Sequence, residues 1–67
     1  MGWHMIKVVC LDDNTEYYFA ASTPYEAMKK MRYTLDITNV DKNANINLYN
    51  ARTLAMEHNG KMYSCLI

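Results

Sequence analysis

Thr23-Pro24-Tyr25-Glu26 decides how this chain is read, because three separate physical signals in it start a helix. A threonine hydroxyl can accept a free backbone N–H of the first turn, and a glutamate three residues on can reach back toward the cap. Between them stands the only proline of the chain, at the first helical position, where a missing N–H costs nothing. From there Pro24, Ala27, Met28, Met31 and Leu35 recur at helical spacing and form one apolar stripe, which predicts a helix from Pro24 to about Asp36. Glu26 and Lys30 stand four apart in the favourable order for an ion pair.

Upstream, Met5 to Leu11 is rich in β-branched residues and reads as a strand. Asp12-Asp13-Asn14 is turn chemistry, and Thr15 to Ala21 is the returning strand. With Asp13-Asn14 as a two-residue loop, Ile6, Val8 and Cys10 share a face with Tyr17, Phe19 and Ala21. The opposite face carries Lys7, Val9, Leu11, Glu16, Tyr18 and Ala20, more apolar than a solvated face requires.

Downstream, Ile37 to Asn47 reads as loop, since Asn39, Asp41, Asn43, Asn45 and Asn47 compete with a helix for backbone bonds. Asn59-Gly60 is a type I′ hairpin signal between Ala51–His58 and Lys61–Ile67. That register puts Leu54, Met56, Tyr63, Cys65 and Ile67 on one face. A rival reading makes Asn50 an N-cap, Ala51 to His58 a short helix and Gly60 its stop. The two-strand alternation favours the hairpin, with Ile46 to Tyr49 leading into it or forming a short strand. The order β-β-α-β-β gives an α+β fold: a single antiparallel sheet of about four strands with one helix packed on one face.

The 67 residues make one small domain, with 51% hydrophobic residues, too many for intrinsic disorder. Met1-Gly2-Trp3-His4-Met5 reads as an expression-vector leader with Met5 as the natural start, so residues 5–67 carry the domain; otherwise Trp3 is native and packs on the sheet. Seven basic and seven acidic residues cancel, so no global field draws the chain to nucleic acid or to an acidic membrane. The longest apolar run, Val8 to Leu11, is too short to span a bilayer, and a cytoplasmic location is expected. Two cysteines are too few for a disulfide scaffold.

Three constellations in the sequence could carry function. Cys10 or Cys65 with His58 is the available nucleophile and base pair, but both thiols alternate with core residues and His58 adjoins a turn. Neither these residues nor the neighbouring Asp12 and Asp13 fall at metal-ligand or carboxylate-dyad spacing, so no enzyme, metal or cofactor is expected. The second constellation is Lys29, Lys30 and Arg32 with Tyr33 on the helix, a basic and aromatic face that could contact nucleic acid. Glu26 and Asp36 dilute it to about one net positive charge.

The third is the sheet. Val9, Leu11 and Tyr18 from the first hairpin, with Ala55, Met62 and Leu66 from the second, share the face that the helix does not cover. An apolar patch rimmed by Lys7, Glu16 and Glu57 is the expected interface for a protein partner or a homodimer. Six tyrosines, a residue enriched at interfaces, agree with that reading. In its rhythm, the opening hairpin followed by Thr23-Pro24-Tyr25-Glu26-Ala27 resembles small antitoxin-like and mobile-element accessory proteins of bacteria over roughly the first half of the chain. The resemblance gives no residue a role. The expectation is a non-enzymatic interaction module using the sheet, with a small nucleic-acid-binding accessory protein using the helix as the alternative.

Overall fold

The computed structural model describes residues 2–37 and 45–67. Its elements are β1 (His4–Cys10), β2 (Glu16–Ala21), α1 (Pro24–Leu35), β3 (Asn47–Asn50), β4 (Thr53–His58) and β5 (Lys61–Leu66). The strands form one antiparallel sheet in the order β2-β1-β5-β4-β3. The β-β-α-β-β plan is thus the one expected, with β3 added as a short edge strand. The expected loop residues Asn39, Asp41 and Asn43 lie outside the described residues.

The helix begins as the opening tetrad dictates. Thr23 is extended and its Oγ1 accepts the Glu26 N–H at 3.1 Å. The return arm of the capping box closes one residue earlier than the motif implies. The Glu26 carboxylate takes the Ser22 hydroxyl at 3.0 Å and the Ser22 N–H at 3.4 Å. These bonds, first the hydroxyl and then the N–H, hold the Glu26 carboxyl below its ordinary range. The anticipated Glu26–Lys30 pair gives way to a longer reach, because the Lys30 ammonium donates to the Ala20 carbonyl. The helix ends at Leu35, where the Asp36 N–H bonds the Arg32 carbonyl at 3.0 Å.

The first hairpin turns through four residues rather than two. The Cys10 N–H donates to Thr15 O at 2.9 Å, the Asn14 N–H donates to Cys10 O at 2.7 Å, and Asn14 supplies the left-handed backbone at φ 62°. Asp13 braces this loop by accepting the Thr15 N–H at 3.0 Å, and that bond lowers its carboxyl. Ile6 therefore pairs with Phe19 and Val8 with Tyr17, two residues away from the pairing of a two-residue loop. A shift of two leaves every side chain on its expected face, because the strand period is two.

The second hairpin has the expected register, His58 with Lys61, turning through Asn59 at φ 50° and Gly60 at φ 81°. Both central residues have the left-handed backbone that a type I′ turn requires. The rival helix over Ala51–His58 does not form: Thr53–His58 is strand, and Ala51-Arg52 is the turn between β3 and β4. The Asn50 side chain does capture a backbone N–H, that of Arg52 at 2.8 Å, but in an Asx turn rather than a helix cap. A bulge between Leu48 and Asn50 accompanies it.

Between α1 and the sheet lie Ile6, Val8, Cys10, Ala21, Ala27, Met28, Met31, Leu54, Met56, Tyr63 and Cys65, with Tyr17, Phe19, Leu35 and Ile46 packed at the margin. Tyr17 and Tyr63 meet with ring centroids 6.5 Å apart. Ile67, expected on this face, is exposed; it follows the end of β5, and its N–H is held by the Arg52 carbonyl at 2.8 Å.

Candidate functional site

The central pairing of β1 with β5 makes the helix-free face continuous. Val9 lies opposite Ser64, and the Leu11 N–H donates to Met62 O at 2.8 Å. The Met62 N–H in turn is taken by the Asp12 carboxylate at 2.7 Å, so the loop of the first hairpin is tied to a strand fifty residues on. β4 continues the rows, with Ala55 beside Ser64 and Thr53 beside Leu66. Two shallow grooves of about 350 and 420 Å³ run over this surface and share Leu11, Ser64 and Leu66.

Five of the six residues expected in the patch line these grooves: Val9, Leu11, Ala55, Met62 and Leu66. Leu66 is 72% exposed and Leu11 55%. Ala55 is buried even though it belongs to the open face, because its small side chain lies low among larger neighbours. Tyr18, the sixth, sits on the β2 rim opposite Lys7, where its hydroxyl donates to the Glu16 carboxylate at 2.9 Å. That bond holds its phenol above the ordinary range. Lys7 reaches the same carboxylate at 3.5 Å, forming an exposed Lys7–Glu16–Tyr18 cluster. Glu57, the other rim charge, folds back to accept the Gly60 N–H at 2.9 Å.

One further residue joins the expected six. Tyr49, 74% exposed, lines the groove of about 420 Å³ beside Leu11, Met62 and Leu66. The signal that finds it is the bulge at β3, which a linear alternation does not contain. Met5 extends the apolar surface along β1, opposite Ala20, and is also exposed. Trp3 is exposed.

The helix residues divide differently. Lys29 is exposed with its Nζ 5.7 Å from the Tyr25 ring centroid, and Tyr33 is exposed. The Lys30 ammonium is occupied by the Ala20 carbonyl. Arg32 is half-buried, with Nε and Nη1 shielded from solvent and lacking a hydrogen-bond partner among the described residues. The four residues share a helix without forming one open cationic surface.

Cys10 and Cys65 are buried on the helix side, and burial pushes the Cys65 thiol up, away from the thiolate a nucleophile needs. His58 stands at the β4–β5 turn, its Nε2 3.3 Å from the Asn59 amide. Asp12 and Asp13 are committed to different backbone N–H groups, Met62 and Thr15. Among the described residues no three His, Cys, Asp or Glu side chains gather for a metal, and no helix is long and apolar enough to cross a membrane. The chain matches no known family model, no curated protein and no solved structure.

Proposed function

We propose that this chain is a non-enzymatic interaction module that associates, with a protein partner or with itself, through the helix-free face of its sheet. One observation carries the reading. Leu11, Met62, Leu66 and Tyr49 converge over the grooves on the side of the sheet opposite the only helix among the described residues. A contiguous apolar surface of this kind is costly to leave in water and marks interaction sites. The test combines hydrodynamics with an apolar fluorescent dye. Association at high micromolar concentration, or dye binding that is lost when Leu66 is made polar, supports the reading. A monomer that binds no dye refutes it.

A second reading, nucleic-acid binding by Lys29, Lys30, Arg32 and Tyr33, is supported by the exposed Lys29 and Tyr33. It asks more of the molecule, since Lys30 would have to release Ala20 and Arg32 to emerge. Its test is affinity for single-stranded nucleic acid against salt. Binding that does not weaken as salt rises, or that survives replacement of all three cations, removes it.

A further inference from the structure

We infer that Asn59-Gly60 is a latent deamidation site, at which the Gly60 backbone nitrogen attacks the Asn59 side-chain amide once the tip of the β4–β5 hairpin opens. In the closed fold the bond from Gly60 to Glu57 holds the site shut. The inference goes beyond the interaction reading above and does not depend on it.

The reaction needs only the chain and water. The Gly60 nitrogen loses its proton and bonds to Cγ of Asn59, the Cγ–Nδ2 bond breaks, and ammonia leaves with that proton. The product is a five-membered succinimide. Water then opens it in one of two ways. Breaking the new Cγ–N bond leaves aspartate, whereas breaking the original peptide bond leaves isoaspartate, whose main chain runs through the side chain.

This asparagine is the only one followed by glycine. Glycine leaves the attacking nitrogen unhindered, and open space surrounds Gly60 where a Cβ would stand. Both residues are exposed, so water reaches the ring. Asn14 is the internal contrast. It too is exposed and left-handed, at φ 62°, but Thr15 follows it with a branched Cβ beside the nitrogen.

In the closed hairpin both reacting groups are engaged elsewhere. The Gly60 N–H donates to the Glu57 carboxylate at 2.9 Å, and Asn59 Nδ2 lies 3.3 Å from His58 Nε2. Ring closure must break the first bond, and the charge of the carboxylate opposes removal of the proton beside it. Closure must also rotate the peptide between Asn59 and Gly60. The type I′ backbone, with φ 50° and 81°, and the pairing of His58 with Lys61 hold that peptide in place. Reaction therefore waits on local opening.

The two products act differently on the fold. Aspartate keeps the turn, since Asp-Gly suits the same type I′ geometry. Isoaspartate lengthens the main chain by one carbon inside a two-residue loop that sets the register of β4 on β5. That register aligns Leu54 with Cys65 and Met56 with Tyr63 in the core, and Ala55 with Ser64 on the open face. β5 is the central strand, so its displacement also reaches β1. Asn59-Gly60 thus gives the sheet a one-way switch.

The experiment ages the wild type, Glu57→Ala and Glu57→Gln in neutral buffer, folded and in urea. Peptide mass spectrometry locates the conversion, and enzymatic methylation marks isoaspartate. Expected is conversion at Asn59 while Asn14 keeps its amide, faster in urea than in the fold. In the fold Glu57→Ala reacts about fivefold faster than the wild type, the effect of one lost hydrogen bond on the open fraction. Glu57→Gln, whose amide oxygen still accepts, falls between them. In urea the three agree. Asn59→Asp, which carries the benign product, is expected to unfold at the wild-type urea midpoint, and the isoaspartate form at a lower one. Conversion as fast in the fold as in urea overturns the latch, as does a Glu57→Ala slower than the wild type, since the carboxylate is then a base. An Asn59 that keeps its amide in urea overturns the site. An isoaspartate form as stable as Asn59→Asp overturns the switch. If Glu57→Ala does not fold by circular dichroism, the wild-type comparison between fold and urea decides the latch.

Discussion

Leu54 and Leu66 are the same residue on neighbouring strands, one position out of phase, and the structure gives them opposite fates. Leu54 is 9% exposed beneath α1, whereas Leu66 is 72% exposed on the open face. Leu54→Ala opens a cavity in the core and is expected to cost about 2–4 kcal/mol. At about 0.05–0.15 kcal/mol per residue the whole fold holds roughly 3–10 kcal/mol, so this one change removes a large share. Leu66→Lys is expected to change monomer stability by less than about 0.5 kcal/mol.

Association reverses the ranking. Burying a leucine fully is worth about 1.5–3 kcal/mol, and nearly three-quarters of Leu66 remains to be buried, or about 1–2 kcal/mol per protomer. Where a second copy is the partner, the interface counts it twice, and Leu66→Lys weakens the dimer by about 2–4 kcal/mol, roughly 30- to 1,000-fold. Urea unfolding at low micromolar concentration reads the first quantity, and sedimentation at high concentration reads the second. A Leu66→Lys monomer destabilised as much as Leu54→Ala refutes the assignment of faces. An association constant unchanged by Leu66→Lys refutes the use of this face.

Stability is expected to rise with pH across the acidic range. Asp13 and Glu26 hold lowered carboxyls in the fold through Thr15 and Ser22, so the unfolded chain binds protons more readily, and their contribution is lost as pH falls through the lowered values. Urea midpoints between about pH 5 and pH 2 measure it, and Asp13→Asn should flatten the slope. Gly60→Ala meets no neighbouring atom, so its cost is backbone strain alone at φ 81°, about 1 kcal/mol by urea titration. Cys10 and Cys65 should react with a thiol reagent only when the protein unfolds, so their labelling rate should follow urea concentration rather than reagent access to a pocket. Lys30→Met should uncover the outward carbonyl of Ala20 on the β2 edge and raise aggregation by strand pairing, read by light scattering on a folded variant.

Much of this was legible in the sequence because it is local. Thr23-Pro24-Tyr25-Glu26 fixes where the helix starts, and the spacing of Ala27, Met28 and Met31 fixes which side it buries. Asn59-Gly60 fixes the register of the last hairpin, and alternation alone places Val9, Leu11, Met62 and Leu66 on the side away from the helix. The first loop is two residues longer than its turn chemistry implies, and the faces stay intact because the slip is an even number of residues. Other features were not legible, because they depend on partners far along the chain. Nothing in residues 4–10 or 61–66 taken separately says that β1 and β5 are neighbours, or that Asp12 will bind the Met62 N–H. The Tyr49 bulge and the reach of Lys30 to Ala20 are likewise set by what packs nearby. Periodicity determines which way a side chain points, since each strand carries its own two-residue repeat. Only the tertiary structure decides which strands adjoin, because that choice is made by the core the whole sheet must close under one helix. That choice turned scattered apolar residues into one continuous face.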